Sequence, residues 1–206
     1  DMPIYVARNS SDVWSHTALF EMDDRLEPLR VAGVPPDYFS ADGQLWGNPL
    51  YDWEACARDG YAWWLSRIGH ALRQFDAVRI DHFRGFEAYW AVDAEEDTAR
   101  NGSWVDGPGM GLFGRVAALF REARIVAEDL GLLTDRTRSF LQETGYPGMR
   151  VMQFGFDGSS DNEHLPHMYP HNCVAYVGTH DNDTLTGWLA REDPDAVRLS
   201  ARYCRA

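Results

Sequence analysis

Three short runs of apolar or β-branched residues in this chain lead into acidic residues. Residues 77–80 precede Asp81, residues 125–127 precede Glu128, and residues 174–180 precede Asp181. A strand that is buried on both faces of a parallel sheet is mostly apolar, so its first polar residue marks where the chain leaves the core. The pattern therefore predicts three strands whose carboxyl ends carry these acidic residues.

Helical periodicity fills the intervals between the strands. Residues 61–75 and 110–123 predict amphipathic helices, and a third helix is predicted from an N-cap at Thr134 through Glu143, stopped by Gly145. The residues predicted to face inward are Trp64, Ile68, Ala71, Leu72 and Phe75 in the first helix, Leu112, Val116, Leu119 and Phe120 in the second, and Phe140 and Leu141 in the third. Residues 1–7 and 149–156 predict two further strands.

Alternation of strand and helix predicts an α/β fold with a parallel sheet and right-handed crossovers. A β/α unit of a (β/α)₈ barrel averages roughly 30 residues, so the gap from Asp81 to Glu128 fits one unit with an enlarged loop, and the gap from Glu128 to Asp181 fits two. The chain has 206 residues, which is fewer than the roughly 250 of a closed barrel. We therefore expect an incomplete barrel with β/α units missing at both ends.

Residues 1–206 are interpreted as one partial catalytic barrel. Residues 9–60 are rich in glycine, proline, aspartate and aromatic residues, and they predict a long loop or subdomain insertion after the first visible strand. Residues 83–111 show similar loop composition. Long connections inside a compact domain are usually functional.

Composition excludes several classes of function. The net charge of -13 argues against nucleic acid or an anionic membrane as a partner. All 19 basic residues are arginine, which excludes a Schiff-base lysine and a phosphate-loop lysine from this segment. Three dispersed cysteines, with no long apolar segment or leader sequence, favour a reducing cytoplasmic location without a membrane span.

The carboxylates suggest glycosidic-bond chemistry, which needs one acid to protonate the departing oxygen and a second to attack or stabilise the anomeric carbon. Asp81 and Glu128 are the leading pair. Arg79 lies two residues before Asp81, so both side chains point to the same side of the strand, and the guanidinium would keep a carboxylate ionised. Helix caps or structural ion pairs are the alternative interpretation of such residues. Trp46 is the best loop candidate for stacking on a sugar ring.

A metal site is not expected. His164, His167 and His171 are close in sequence, but Pro166 and Pro170 prevent the single helix that would align the three imidazoles. No cofactor is predicted either.

Six motifs taken together resemble the 4-α-glucanotransferase family, also called amylomaltase or disproportionating enzyme, of the α-amylase clan. They run through nearly the whole chain in family order. The motifs are residues 1–6 (DMPIYV), 34–40 (VPPDYFS), 45–53 (LWGNPLYDW), 79–85 (RIDHFRG), 127–131 (AEDLG) and 178–184 (GTHDNDT).

The resemblance implies retaining α-1,4-glucan transfer on a (β/α)₈ barrel, of which this chain would span about the third strand to beyond the seventh. It assigns Asp81 as the nucleophile, Glu128 as the general acid/base and Asp181 as a third carboxylate that holds sugar hydroxyls. The resemblance also implies substrate-binding roles for Arg79, His180, Asp1, Asp37, Tyr38 and Trp46.

The implied partners are maltodextrin or α-1,4-glucan donors and acceptors. An α-glucan hydrolase using the same residues, and an inactive carbohydrate-binding fragment, are the alternatives. Many α-amylases carry a histidine four residues after the nucleophile, whereas Gly85 stands there in this chain, and this departure disfavours hydrolysis.

Overall fold

The computed structural model describes residues 1–37, 40–131 and 133–204. They form two compact units, Asp1–Gly145 and Tyr146–Ala206. The first unit contains helices α1 (Ser11–Ser15), α2 (Trp53–Arg58), α3 (Ala62–Gln74), α4 (Met110–Leu119) and α5 (Asp135–Thr144). Among the described residues, no helix is both long and apolar enough to cross a membrane.

A parallel pair of strands in the first unit carries Asp81 and Glu128 at its carboxyl end. Strands β3 (Val78–Ile80) and β6 (Ile125–Ala127) pair in register, with Ile80 opposite Ala127. Both strands were predicted from the sequence, and their parallel pairing is confirmed. The predicted strand over residues 1–7 is reduced to one bridge between Met2 and Ile80. The strand prediction was therefore wrong beyond Met2.

An antiparallel sheet forms from segments that the sequence pattern assigned to loops. Its strands are β1 (Arg30–Val34), β2 (Gln44–Pro49), β4 (Ala88–Asp93) and β5 (Ser103–Asp106), in the order β2-β1-β4-β5. Loop structure was therefore the wrong expectation for these segments. Gly33 allows strands β1 and β2 to approach closely, because a Cβ at this position would lie 2.6 Å from the Gln44 carbonyl oxygen.

The predicted helices are present, but α3 and α4 end before their predicted carboxyl ends. Trp64 and Ile68 of α3 are fully buried, as expected. Phe75 is 59% exposed because α3 ends at Gln74 and Phe75 is extended. Leu119, also predicted to face inward, is 61% exposed at the last residue of α4. The predicted cap of α5 is confirmed, since the Thr134 hydroxyl accepts the Thr137 amide at 3.1 Å.

The second unit contains a second parallel pair, β7 (Gly148–Val151) and β8 (Cys173–Tyr176), followed by helices α6 (Leu185–Arg191) and α7 (Pro194–Tyr203). The strand predicted over residues 149–156 ends early, because Met152–Gly155 turns into a 3₁₀ helix. A Cβ on Gly155 would lie 2.7 Å from the His164 carbonyl oxygen, so this turn needs a glycine. The core of the unit is formed by Phe156, Leu165 and Trp188.

Candidate active site

Asp81 and Glu128 lie side by side at the carboxyl end of the β3–β6 pair. Each is the residue after its strand, and the register that pairs Ile80 with Ala127 makes them neighbours. Backbone hydrogen bonds continue past the strands: the Glu128 amide donates to the Ile80 carbonyl at 3.0 Å, and the Asp81 amide donates to the Met2 carbonyl at 2.9 Å. Regular backbone pairing on both sides therefore positions the two carboxyl groups.

Arg79 joins two carboxylates of this site. Its Nη1 lies 2.6 Å from Asp1 Oδ1 and 2.8 Å from Asp81 Oδ1. The contact with Asp81 was predicted from the two-residue spacing and is present, because alternate residues of a strand point to the same face. The Arg79 side chain is only 13% exposed, whereas those of Asp1 and Asp81 are 39% and 41% exposed. The cation is thus shielded from solvent while both carboxylates stay accessible to a ligand.

Glu128 occupies a different environment from Asp81. Its Oε1 accepts the Leu130 amide and its Oε2 accepts the His82 amide, both at 2.8 Å. Burial raises the pKa of Glu128, and the Asp81 charge acts in the same direction. The two amides and Arg79 oppose the rise, but the net shift is upward. A carboxyl group that is protonated more readily than usual is suited to donating a proton.

His82 connects this pair of acids to an aromatic surface. Its ring meets Trp46 edge-on, with centroids 4.9 Å apart, and also lies 6.5 Å from the Tyr5 ring. Burial lowers the pKa of His82 to about 4, with a smaller contribution from Arg84, so the imidazole is neutral at neutral pH. Trp46 is 38% exposed and belongs to strand β2, whereas a loop position was predicted.

Sequence reasoning assigned no role to His82. Its backbone has a left-handed conformation, with φ 47° and ψ 49°, and its amide donates to Glu128 Oε2. Histidine is among the non-glycine residues that are enriched in this region of backbone space. This weak preference is the only local signal in the sequence for the contact.

Two further predicted residues lie in the segment before β2. Asp37 Oδ1 accepts the Ser40 amide at 2.8 Å, and the Asp37 amide donates to the Ser40 carbonyl at 3.0 Å. Tyr38 lies outside the described residues. The sugar-binding roles of both residues stay predictions.

Asp181 and His180 belong to the second unit, in the segment after β8. His180 Nε2 lies 3.3 Å from Asp181 Oδ1, and the two side chains are 66% and 64% exposed. Asn182 Oδ1 fixes the turn by accepting the Thr179 amide at 2.8 Å and the Thr179 hydroxyl at 3.0 Å. Within this unit, the two side chains are therefore presented to solvent on a structured turn, where they can meet a polar ligand.

Two of the three histidines that are close in sequence, His164 and His167, make hydrogen bonds within the second unit. His164 Nδ1 accepts the Val151 amide at 3.1 Å, and His167 Nδ1 pairs with the Tyr203 hydroxyl. In the part of the chain that the structure describes, no group of three histidine, cysteine, aspartate or glutamate residues is arranged to hold a metal ion.

Comparison with known proteins places this geometry in a family. The family model described as 4-alpha-glucanotransferase matches residues 1–205. The chain belongs to this family. The resemblance inferred from the six motifs is thus confirmed.

The 4-alpha-glucanotransferase of Clostridium butyricum is 54% identical over 190 residues, which are 92% of this chain and 39% of that protein. The 4-alpha-glucanotransferase of Streptococcus pneumoniae (strain TIGR4) is 50% identical over 204 residues, which are 98% of this chain and 40% of that protein. The chain therefore spans about two fifths of the length of these relatives.

Among solved structures, the chain is similar to an amylomaltase from Streptococcus agalactiae in complex with acarbose. The two are 42% identical and superimpose with a TM-score of 0.94 over 100% of this chain and 42% of that one. The mixed α/β fold predicted from the sequence is accordingly confirmed for this member of the 4-alpha-glucanotransferase family.

Proposed function

We propose that the intact protein is a 4-α-glucanotransferase, which moves α-1,4-glucan segments to a glucose or glucan acceptor with retention of configuration. Family membership supports this activity. The observation that carries the proposal is the contrast between two neighbouring acids: Asp81 is paired with the shielded Arg79, whereas the pKa of Glu128 is raised by burial. Two adjacent carboxyl groups in opposite electrostatic environments are suited to opposite roles.

In the proposed mechanism, Asp81 attacks the anomeric carbon while Glu128 protonates the departing glucan, which gives a covalent glycosyl-enzyme. Glu128 then acts as the base that activates the 4-hydroxyl of the acceptor. Two inversions give overall retention. Neighbouring strands lie about 4.8 Å apart, which supports the roughly 5–5.5 Å carboxyl separation of retaining enzymes rather than the wider inverting gap.

Family motifs supply the remaining roles in this proposal. Asp181 would hold sugar hydroxyls, with His180 donating a further hydrogen bond, and Asp1 would bind the sugar from the other side of Arg79. We also propose that the segment spans about the third strand to beyond the seventh of a (β/α)₈ barrel. The parallel pairs β3–β6 and β7–β8 support this assignment.

The acceptor side must favour a sugar over water, because water is present at roughly 55 M and competes for the glycosyl-enzyme. We propose that the half-exposed Trp46 stacks on an acceptor sugar, and that Asp37 and Tyr38 border the same side. The complex of a similar amylomaltase with acarbose supports an α-glucan ligand. The free thiols of Cys56 and Cys173 support a reducing, cytoplasmic location.

Incubation of the intact protein with maltotriose tests the proposal. Transfer yields glucose together with maltodextrins longer than the substrate, whereas hydrolysis yields no longer product. Asp81→Asn should abolish turnover, because an amide cannot act as the nucleophile. Asp93→Asn is the matched control, since Asp93 also stands at the end of a strand and is exposed. Full glucan turnover by Asp81→Asn would show that the protein does not use the proposed chemistry.

A further inference from the structure

His82 has a left-handed backbone conformation, which is unfavourable for a residue with a Cβ, although histidine adopts it more often than most other residues. Its φ of 47° places the Cβ in the crowded left-handed region, which glycine usually occupies. Strained residues of this kind persist where the surrounding structure holds them, and they are frequent at active sites.

The left-handed turn at His82 has a direct consequence for Glu128. It allows the His82 amide to donate to Glu128 Oε2 at 2.8 Å while the chain after His82 changes direction. The chain then enters the 3₁₀ turn Phe83–Phe86, in which the Gly85 amide donates to the His82 carbonyl at 2.9 Å. The second amide donor to Glu128, from Leu130, comes from the segment that carries Glu128 itself. His82 is therefore the contact by which the neighbouring strand orients this carboxyl group.

Packing of the imidazole fixes this conformation. Trp46 meets the ring edge-on, and Tyr5 lies on another side. Gly85 supplies the remaining space, because a Cβ at that position would lie 2.9 Å from His82 Cδ2 and 2.9 Å from Ile4 Cδ1. The absence of a side chain at residue 85 is thus what allows the ring to occupy its place.

We propose that His82 is a positioning residue for Glu128: its ring, held by Trp46 and by the space at Gly85, stabilises the left-handed backbone whose amide orients the Glu128 carboxyl group. This inference rests on the proposed glucanotransferase function, in which Glu128 is the acid/base. It assigns to the imidazole a role in backbone geometry and needs no contact between the ring and the substrate.

Substitutions that differ in their tolerance of positive φ test this role in the intact protein. Glycine accepts the left-handed conformation freely, whereas β-branched valine resists it. Both His82→Gly and His82→Val remove the ring, so a difference between them reports on the backbone. Loss of an amide donor destabilises the carboxylate and raises the pKa of Glu128.

The expected result is a displacement of the alkaline limb of kcat/KM with maltotriose. His82→Val should move this limb upward by about one pH unit and lower kcat about tenfold, as expected for one lost hydrogen bond to a charged group. His82→Gly should show a clearly smaller change in both quantities. The charged groups that face Glu128 are Asp81 and Arg79, with Asp1 acting through Arg79, and all of them are unchanged in both variants.

Gly85→Ala provides a second test that does not depend on the folding of His82→Val. The nearest atoms to the added methyl group belong to His82 and Ile4, so it crowds the ring and should move the alkaline limb in the same upward direction. Leu26→Val is the control, because Leu26 also has a positive φ, 64°, and its side chain is exposed. This control should reduce thermal stability while leaving the pH profile unchanged.

The outcomes separate this inference from the proposed function. An unmoved alkaline limb in Gly85→Ala, or equal losses in His82→Gly and His82→Val expressed only in KM, would overturn the positioning role. If either result occurs while Asp81→Asn is inactive, the positioning role is overturned but the proposed glucanotransferase function is not. Turnover by Asp81→Asn would instead overturn the proposed function itself.

Discussion

Replacing Arg79 with methionine should greatly weaken glucan transfer. The substitution keeps much of the side-chain volume but removes the cation that lies 2.6 Å from Asp1 and 2.8 Å from Asp81. A hydrogen bond between charged groups contributes about 1.5–3 kcal/mol. Because the two carboxylates are partly exposed, we apply this range to the Asp81 contact alone. At about 1.4 kcal/mol for each factor of ten, kcat/KM should fall roughly 10- to 150-fold.

The same substitution should change the pH dependence in one direction. Arg79 lowers the pKa of Glu128, against the net upward effect of burial. Its removal should raise that pKa further and move the alkaline limb of kcat/KM to higher pH, because Glu128 must be protonated for the first step. Initial rates of glucose release from maltotriose, measured with the intact protein over a range of pH, record both effects.

Arg30→Met is the matched control for the loss of an arginine–carboxylate pair. Arg30 donates to both Glu21 carboxylate oxygens, at 2.7 and 2.8 Å, and lies in the antiparallel sheet. This control should lower the thermal midpoint without changing kcat/KM. The reasoning is refuted if Arg79→Met stays within about threefold of the wild-type kcat/KM and its alkaline limb does not move.

Three further results are expected of the intact protein. Trp46→Ala should raise the ratio of hydrolysis to transfer, measured by comparing glucose release with the yield of longer maltodextrins; an unchanged ratio would remove Trp46 from the acceptor site. Lowering the pH from about 6.5 to 4 should destabilise the wild-type protein more than the His82→Asn variant. The difference in the free energy of unfolding, measured with urea, should be roughly 3 kcal/mol. The sign follows because the pKa of His82 in the folded state, about 4, lies below its ordinary value, so protonation favours the unfolded chain. Thr137→Val should reduce unfolding free energy by about 1–3 kcal/mol, because the buried Glu87 loses the hydroxyl donor at 2.9 Å.

Elements with long or continuous apolar patterns could be predicted from the sequence. Strands β3 and β6, and helices α3 and α5, were found close to their observed bounds. Their signals are local: an apolar run before an acidic residue, a repeat of apolar positions on one helix face, and the Thr134 cap. Helix ends were less accurate because Phe75 and Phe120 continue the apolar pattern, although each is the first residue after its helix.

The antiparallel sheet could not be predicted in the same way. Strand β1 pairs with β4, so that Val31 lies opposite Val92, and these strands are separated by β2, two helices and β3. No local pattern encodes such a pairing. The residues around β1 and β2 include glycines and prolines that ordinarily indicate turns, and the close approach at Gly33 shows that one of these glycines serves strand packing instead.

The candidate site was predictable only in part for a similar reason. The same-face relation of Arg79 and Asp81 follows from strand geometry, so a two-residue spacing was sufficient to find it. The second contact of Arg79, with Asp1, depends on the Met2–Ile80 bridge between distant parts of the chain. The His82 amide contact depends on a backbone conformation that the residue type only weakly favours.

The surroundings of Glu128 suit both steps of the proposed mechanism. The first step needs a protonated carboxyl group and the second step needs a carboxylate, so an extreme pKa in either direction would impair one of the steps. Burial and Asp81 raise the pKa, while the Leu130 and His82 amides and Arg79 lower it. The amide donors come from separate segments, so they also restrict the orientation of both oxygens. Opposed electrostatic effects and a fixed orientation would allow one carboxyl group to serve as acid and then as base.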